Sequence, residues 1–420
     1  MALIFNIQGI FAAAVDNADG QDSDNIIQPL KLSLDDAVKK AIENSAELTS
    51  IDISIKKLWR VTDKNKTFGE LSSYTQNQLE LINTYFQLFE RGRKYDNLTY
   101  QEEQEIQMYK SLFGDIPAPY SRQQLYERYI NGTVIPYYSS WLQVLNLTHS
   151  YDSSKACLQG EVQSMYFNLL YITDLYESLE SSLNTMEKQY SGMLLKYEKG
   201  LISDLEKYKY ENSLNKKKLE LNKQKRNKEL QELIFKQKCG IECSQKIELT
   251  SREVGLNKEY KLDAFSDYYN KALLNRSEVV GAKFQKEVLT KELEYVDKYI
   301  NQRYSFDRTV LEQQVEDAGF SVSQNILNVT GDIQAAYTDV TFVQSQMDIQ
   351  KRNAKNKKAD YDISVKKYSQ GQISLIELFD AKDAASTAEI EYKKAQRDMA
   401  YSFYRFDLAC QLGPAYRQAY

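Results

Sequence analysis

The side chains in this sequence that could do covalent, redox or metal chemistry are few: four cysteines and a single histidine, His149. Cys157, Cys239, Cys243 and Cys410 are too scattered for a disulfide framework, and zinc asks for more ligands than these supply. Cys239 and Cys243 could pair across Gly240-Ile241-Glu242, but free thiols near a helix end are the simpler reading. One histidine removes most schemes in which imidazole activates a nucleophile, and no Gly-rich phosphate loop is present. The sequence predicts no catalysis, no metal and no cofactor.

A net charge of -5 and a pI near 5.4 give no global positive field that would draw nucleic acid. The basic run from Lys216 to Lys228 contains Glu220 and is followed by Glu229, so it reads as a solvated helix face.

The elements that would position any binding surface are long helices. Pro29, Pro117, Pro119, Pro136 and Pro414 are the five prolines, leaving 137–413 without the strongest helix breaker. Leu, Lys, Glu, Gln and Ala fill that region with charges alternating in sign, and the mean hydropathy of -0.58 suits a long-helix or coiled-coil protein. The 32 tyrosines fit either biased base composition or aromatic packing on half-wet helix faces. No apolar run reaches the roughly 18 residues of a spanning helix. Residues 1–30 are apolar through Val15, offer Ala12-Ala13-Ala14 as a cleavage site and then turn acidic, which reads as a secretory signal lacking its basic start. Export to the cell envelope is the expectation.

An internal repeat runs beneath the chain. Val162, Gln163 and Tyr166 correspond to Ile333, Gln334 and Tyr337, and Gly200, Ile202 and Ser203 to Gly371, Ile373 and Ser374, all at one offset of 171 residues. Lys40–Leu48 resembles Lys271–Val279, and Cys239-Gly240 matches Leu412-Gly413. A first repeat over 31–245, with a variable insertion at 58–155, and a second over 246–415 followed by a 416–420 tail are expected.

Each repeat reads as an opening helix, a long helix of about 60 Å over 159–198 or its counterpart, a glycine turn, and a returning helix closed by glycine. Ser33 and Asp36 predict a capping-box start, with Leu34, Ala37, Ile42 and Leu48 as an apolar stripe. On the first returning helix, Leu201, Leu205, Tyr208, Leu219, Leu230, Leu233 and Ile234 form a discontinuous apolar seam. Ile376, Phe379, Ile390, Phe403 and Phe406 take that part in the second, where Ala381, Ala384, Ala385, Ala388 and Ala395 admit a close neighbour. The predicted fold is mainly α, with two long antiparallel helical hairpins.

The stretches "SLDDAVKKAIENSAEL", "VQSMYFNLL", "YEKGLISDL", "YSQGQISLIELFDA" and "LACQLG" resemble the TolC family of outer-membrane efflux channels across roughly residues 30–415. The resemblance implies a homotrimer whose hairpins form a hollow α-helical tube, usually continued by a β-barrel through the outer membrane. It implies an exit duct in a tripartite efflux or type I secretion assembly, with an adaptor (membrane fusion) protein and an inner-membrane pump or ABC exporter as partners. By position, Gly200, Leu201, Ile202 and Ser203 correspond to one adaptor-contact tip, and Gly371, Gln372, Ile373 and Ser374 to the other. Glu377 and Asp380 fall where the family places an acidic ring around the inner aperture; as acids in a first helical turn they also suit the helix dipole. A structural coiled-coil envelope protein without a lumen would use the same hairpins.

The chain departs from the family where barrel strands belong. Residues around 300–325 read mainly as helix with a break near Tyr304–Asp307, and Asn131–Ser150 alone has strand-like turn signals and β-branched or aromatic content. Few or no strands are therefore expected at the end away from the tips.

Overall fold

The computed structural model describes residues 29–60, 68–95, 97–113, 135–300 and 306–413, so the signal-like residues 1–28 and the 414–420 end lie outside it. Strand β1 (Leu30–Leu32) leads into α1 (Leu34–Glu43), α2 (Ala46–Leu58), α3 (Phe68–Tyr95) and α4 (Tyr100–Phe113). The first hairpin is α5 (Ile135–Glu198) and α6 (Asp204–Cys239), followed by β2 (Ile247–Leu249), α7 (Phe265–Asn275) and α8 (Ser277–Tyr295). A π-helical turn, Val296–Ile300, precedes the second hairpin, α9 (Phe306–Ser369) and α10 (Leu375–Gln411). Among the described residues the strands are three residues each, and they pair in parallel with Leu30 opposite Ile247 and Leu32 opposite Leu249.

Local chemistry explains the starts and stops. Ser33 caps α1, and the Asp36 carboxylate returns to the Ser33 N–H and hydroxyl, which together hold that carboxyl below its ordinary range. The long helices have no strong stripe of their own, so packing against neighbours has to hold them. They stand in a row in the order α6, α5, α10, α9.

Residues 135–150 are helix, the start of α5, and not strand; the part before Ile135 lies outside the described residues. Pro136 in the first turn favours helix initiation, and Tyr138, Trp141 and Val144 then face inward, with Trp141 stacked 5.7 Å from Phe284 of α8. The β-branched residues there are outweighed by this burial. The long helices are also longer than expected: α5 and α9 have 64 residues each, about 96 Å at 1.5 Å per residue. Finally, Leu201, Leu205, Tyr208, Leu219, Leu230, Leu233 and Ile234 do not bury a seam within the chain; Leu219 is 72% exposed. At about 100° per residue, this stripe, from Leu205 onward, lies on the side of α6 opposite Tyr210, Leu214 and Phe235, the residues that α5 covers.

The second returning helix behaves as expected, since Phe379, Ile390 and Phe406 are buried and Ile376 and Phe403 are partly so. Ala388 and Ala395 are buried as well, whereas Ala384 faces solvent. The expected break at Tyr304–Asp307 falls partly on 301–305, outside the described residues; helix resumes at Phe306. Away from the tips, α3, α4, the start of α5 and the end of α8 share an aromatic core of Leu79, Ile82, Tyr85, Phe86, Tyr109, Tyr138 and Tyr295.

The closing glycines dock on the opening helices. Gly240 (φ 67°) lies against Asn44, whose amide donates to the Cys239 carbonyl at 3.3 Å; Gly413 (φ 93°) lies against Arg276 and Glu278. Arg276 is buried, donates to the Ala409 carbonyl at 3.2 Å and pairs with Glu278 at 2.7 Å and Asp332 at 3.1 Å. Removing one member of such a buried ion-paired group leaves its partners unsatisfied, so Arg276→Ala should lower unfolding free energy by about 3 kcal/mol in urea titrations.

Candidate functional site: the hairpin tips

The two turns are local copies of each other. In the first, the Gly200 N–H donates to the Tyr197 carbonyl at 2.8 Å and the Leu201 N–H to the Lys196 carbonyl at 2.9 Å. In the second, the Gly371 N–H donates to Tyr368 at 2.9 Å and the Gln372 N–H to Lys367 at 2.9 Å. Both glycines have φ of 72°, the left-handed conformation in which a side chain is strained. A Cβ on either would meet nothing within 4 Å, so each tip presents bare backbone to solvent.

The return helices start identically. The Ser203 hydroxyl accepts from the Glu206 N–H at 3.3 Å while the Glu206 carboxylate accepts from the Ser203 N–H at 3.2 Å. The Ser374 hydroxyl accepts from Glu377 at 3.2 Å while the Glu377 carboxylate accepts from the Ser374 N–H at 2.7 Å. Sequence reasoning missed Glu206 and the cap made by Glu377, although Glu206 and Glu377 stand at the repeat offset and three residues after serine, which is the signal of a capping box.

Around these caps, Leu201, Ser203, Gln372 and Ser374 are exposed, and Ile202 and Ile373 are half-buried. Glu377 is turned back onto its own cap, whose backbone N–H and hydroxyl hold its carboxyl below the ordinary glutamate range. Asp380, one turn on, faces solvent.

Just above the turns an apolar layer joins both hairpins: Leu183, Met186, Tyr210, Leu214 and Phe379. Tyr190 stacks on Tyr210 with ring centroids 5.6 Å apart, and the Tyr210 hydroxyl donates to the Met186 carbonyl at 2.8 Å. Asp383 then ties three helices together, accepting from Ser182 of α5 at 2.7 Å and pairing with Lys217 of α6. None of these ties was evident from sequence, because each depends on which helices become neighbours.

Reactive groups are arranged as for structural roles. Cys239, Cys243 and Cys410 are free, and burial pushes the Cys239 and Cys410 thiols up to about 11, which suppresses their thiolates. Among the described residues no cluster of three or more His, Cys, Asp or Glu could hold a metal ion, and no helix is long and apolar enough to cross a membrane.

No protein-family model and no curated protein matches the sequence. Solved structures do match in fold. A CusC structure concerned with folding and transmembrane channel formation aligns with a TM-score of 0.57 at 10% identity, covering 93% of this chain and 95% of that one. The Campylobacter jejuni CmeC outer membrane channel aligns at 0.53 with 13% identity, covering 90% and 86%. The open state of the Neisseria gonorrhoeae MtrE outer membrane channel aligns at 0.50 with 11% identity, covering 99% and 98%. The chain has the TolC-like fold of these channels, mainly helical and with few strands among the described residues.

The tip geometry predicts a titration. A carboxyl whose pKa is depressed in the folded protein stabilises its cap at neutral pH and loses that contribution as pH falls through the depressed value. Ser374→Ala, which removes the hydroxyl but leaves the backbone N–H, should return the Glu377 carboxyl part of the way toward the ordinary glutamate range in a carbon-13 NMR pH titration, and an unchanged midpoint would mean that the hydroxyl does not contribute.

Proposed function

We propose that the chain is the subunit of a TolC-like exit duct, a passive conduit in a tripartite efflux or type I secretion assembly of the cell envelope. The observation that carries this reading is a row of four long helices whose outer members, α6 and α9, hold apolar side chains away from the rest of the chain, including Leu219, Leu230, Phe342 and Ile349. A surface of this kind is satisfied by other copies joined head to tail, and head-to-tail contacts that close make a ring. By resemblance to the channels the ring has three copies and six hairpin tips.

The tips then meet an adaptor protein through Gly200, Leu201, Ile202 and Ser203, and through Gly371, Gln372, Ile373 and Ser374. Bare left-handed backbone flanked by exposed small or apolar residues suits close docking of a partner loop. The adaptor links the duct to an inner-membrane pump or ABC exporter. Glu377 and Asp380 stand at the inner aperture, where threefold repetition would favour cations. No step requires catalysis or a cofactor.

Mass photometry of the purified full chain in detergent should give a trimer at micromolar concentration; a stable monomer would sink the duct reading. In planar bilayers the trimer should conduct with cation preference, weakened by Glu377→Gln together with Asp380→Asn. A trimer that never conducts would instead indicate an envelope spacer without a lumen. Gly200→Trp with Gly371→Trp should abolish crosslinking to the co-expressed adaptor while the circular dichroism stays helical.

A further inference from the structure

The seam between α5 and α10 holds a cavity that the duct reading does not use. Its volume is about 280 Å³, below that of drug-sized sites, so it has room for a small molecule only. Buried Phe167 and half-buried Met165 and Tyr171 of α5, with half-buried Tyr401 of α10, give it apolar walls. Lys394, Arg397 and Asp398 of α10 supply its charge.

These three charges are not answered alike. Arg397 is 2% exposed, donates to Asp174 at 3.2 Å and to the Arg252 carbonyl at 3.0 Å, and keeps a buried Nε–H without an acceptor among the described residues. Lys394 lies over the Tyr171 ring, 4.9 Å from its centroid, and Asp398 stands one turn farther along α10. Neither has an ion pair among the described residues, and the pair is not bridged. A lysine four residues before an acid is the weaker order for a helical ion pair. The Tyr171 hydroxyl is already committed to Glu391, to which it donates at 2.5 Å. Asp398 keeps one side in solvent, yet withdrawal from water on the other raises its carboxyl above the usual aspartate range, with Lys394 pulling the opposite way. A charge drawn out of water without a partner is unfavourable, and here one of each sign lines a cavity with aromatic walls.

We propose that this cavity binds a small amphiphilic zwitterion, an amino acid with an aromatic side chain, its carboxylate on Lys394 and the Arg397 Nε–H, its ammonium on Asp398 and its ring among Phe167, Tyr171 and Tyr401. Each part of such a ligand answers a group that the chain leaves open. The carboxylate gives the lysine and the spare arginine donor a charge-assisted acceptor, and the ammonium does the same for the aspartate. A ligand lodged between α5 and α10 also stabilises the folded seam by mass action. The site is complete within one chain, so it goes beyond the duct reading and does not depend on it.

Isothermal titration calorimetry of the purified full chain tests this with L-phenylalanine, 3-phenylpropionate, phenethylamine and glycine. L-phenylalanine should saturate one site per chain, and the three analogues, each lacking one part, should bind at least about tenfold more weakly. Asp398→Asn should weaken L-phenylalanine by about tenfold without weakening 3-phenylpropionate, and Lys394→Gln should weaken it as much without weakening phenethylamine. Neither side chain is buried, and circular dichroism of each variant should match the wild type. No saturation by L-phenylalanine below roughly 10 mM, or binding that both variants leave intact, would overturn the site. 3-Phenylpropionate binding as tightly as L-phenylalanine would make it an anion site and overturn the zwitterion. Mass photometry reads the duct separately: a monomer that binds L-phenylalanine keeps the site and loses the duct, and a trimer that does not bind it does the reverse.

Discussion

A helix about 96 Å long with charged residues on most sides cannot hold itself straight in water, and the seam between α5 and α10 is the constraint on which this fold depends. The seam alternates apolar and polar layers. Phe379 lies near its lower end, the Tyr171 hydroxyl donates to Glu391 at 2.5 Å farther up, and Arg397 joins Asp174 to the Arg252 carbonyl above that. The last bond also anchors the crossing segment between the hairpins, and Arg252 grips Glu177 with both guanidinium nitrogens at 2.7 and 2.8 Å. Apolar layers supply the area, while the polar ones have few alternative partners and so favour one sliding position over its neighbours.

At the other end the same helices are held by a different device. At the end away from the tips, the described residues form helices around tyrosine, phenylalanine and leucine side chains. The two short strands lie between the opening of the chain and its middle, where Tyr166 donates to the Leu32 carbonyl at 3.1 Å and accepts from the Ser251 N–H at 3.0 Å. They fasten Leu30–Leu32 to the crossing segment.

Much of this was legible in the sequence because it is governed locally. The turns at Gly200 and Gly371, the Ser33 cap and the glycine closures each depend on a few consecutive residues, and the repeat doubled the signal at the tips. The fate of Leu219 and Leu230 was not legible: the same apolar spacing serves a stripe buried by its own chain and one left for another, and which applies is decided by neighbours far along the sequence. Asn131–Ser150 misled for a related reason. Its threonines, valines and tyrosines favour strand in isolation, yet Trp141 and Tyr138 find their partners on α3 and α8 with the described part, 135–150, helical. In the candidate site, the glycines and serines were found by position, whereas the Asp383 node required knowing that three helices meet there.

The placement of the two tryptophans gives the molecule an optical asymmetry. Trp59 ends α2, which lies along the upper part of α5, and Trp141 sits in the aromatic core at the start of α5, so both are remote from Gly200 and Gly371. Their emission reports the helical end and is silent about the turns. The layer above the tips is instead rich in tyrosine, with Tyr190 and Tyr210 stacked there. Selective tryptophan excitation therefore follows that end alone, whereas tyrosine emission, with Tyr85, Tyr109, Tyr138 and Tyr295 there as well, averages over the whole length.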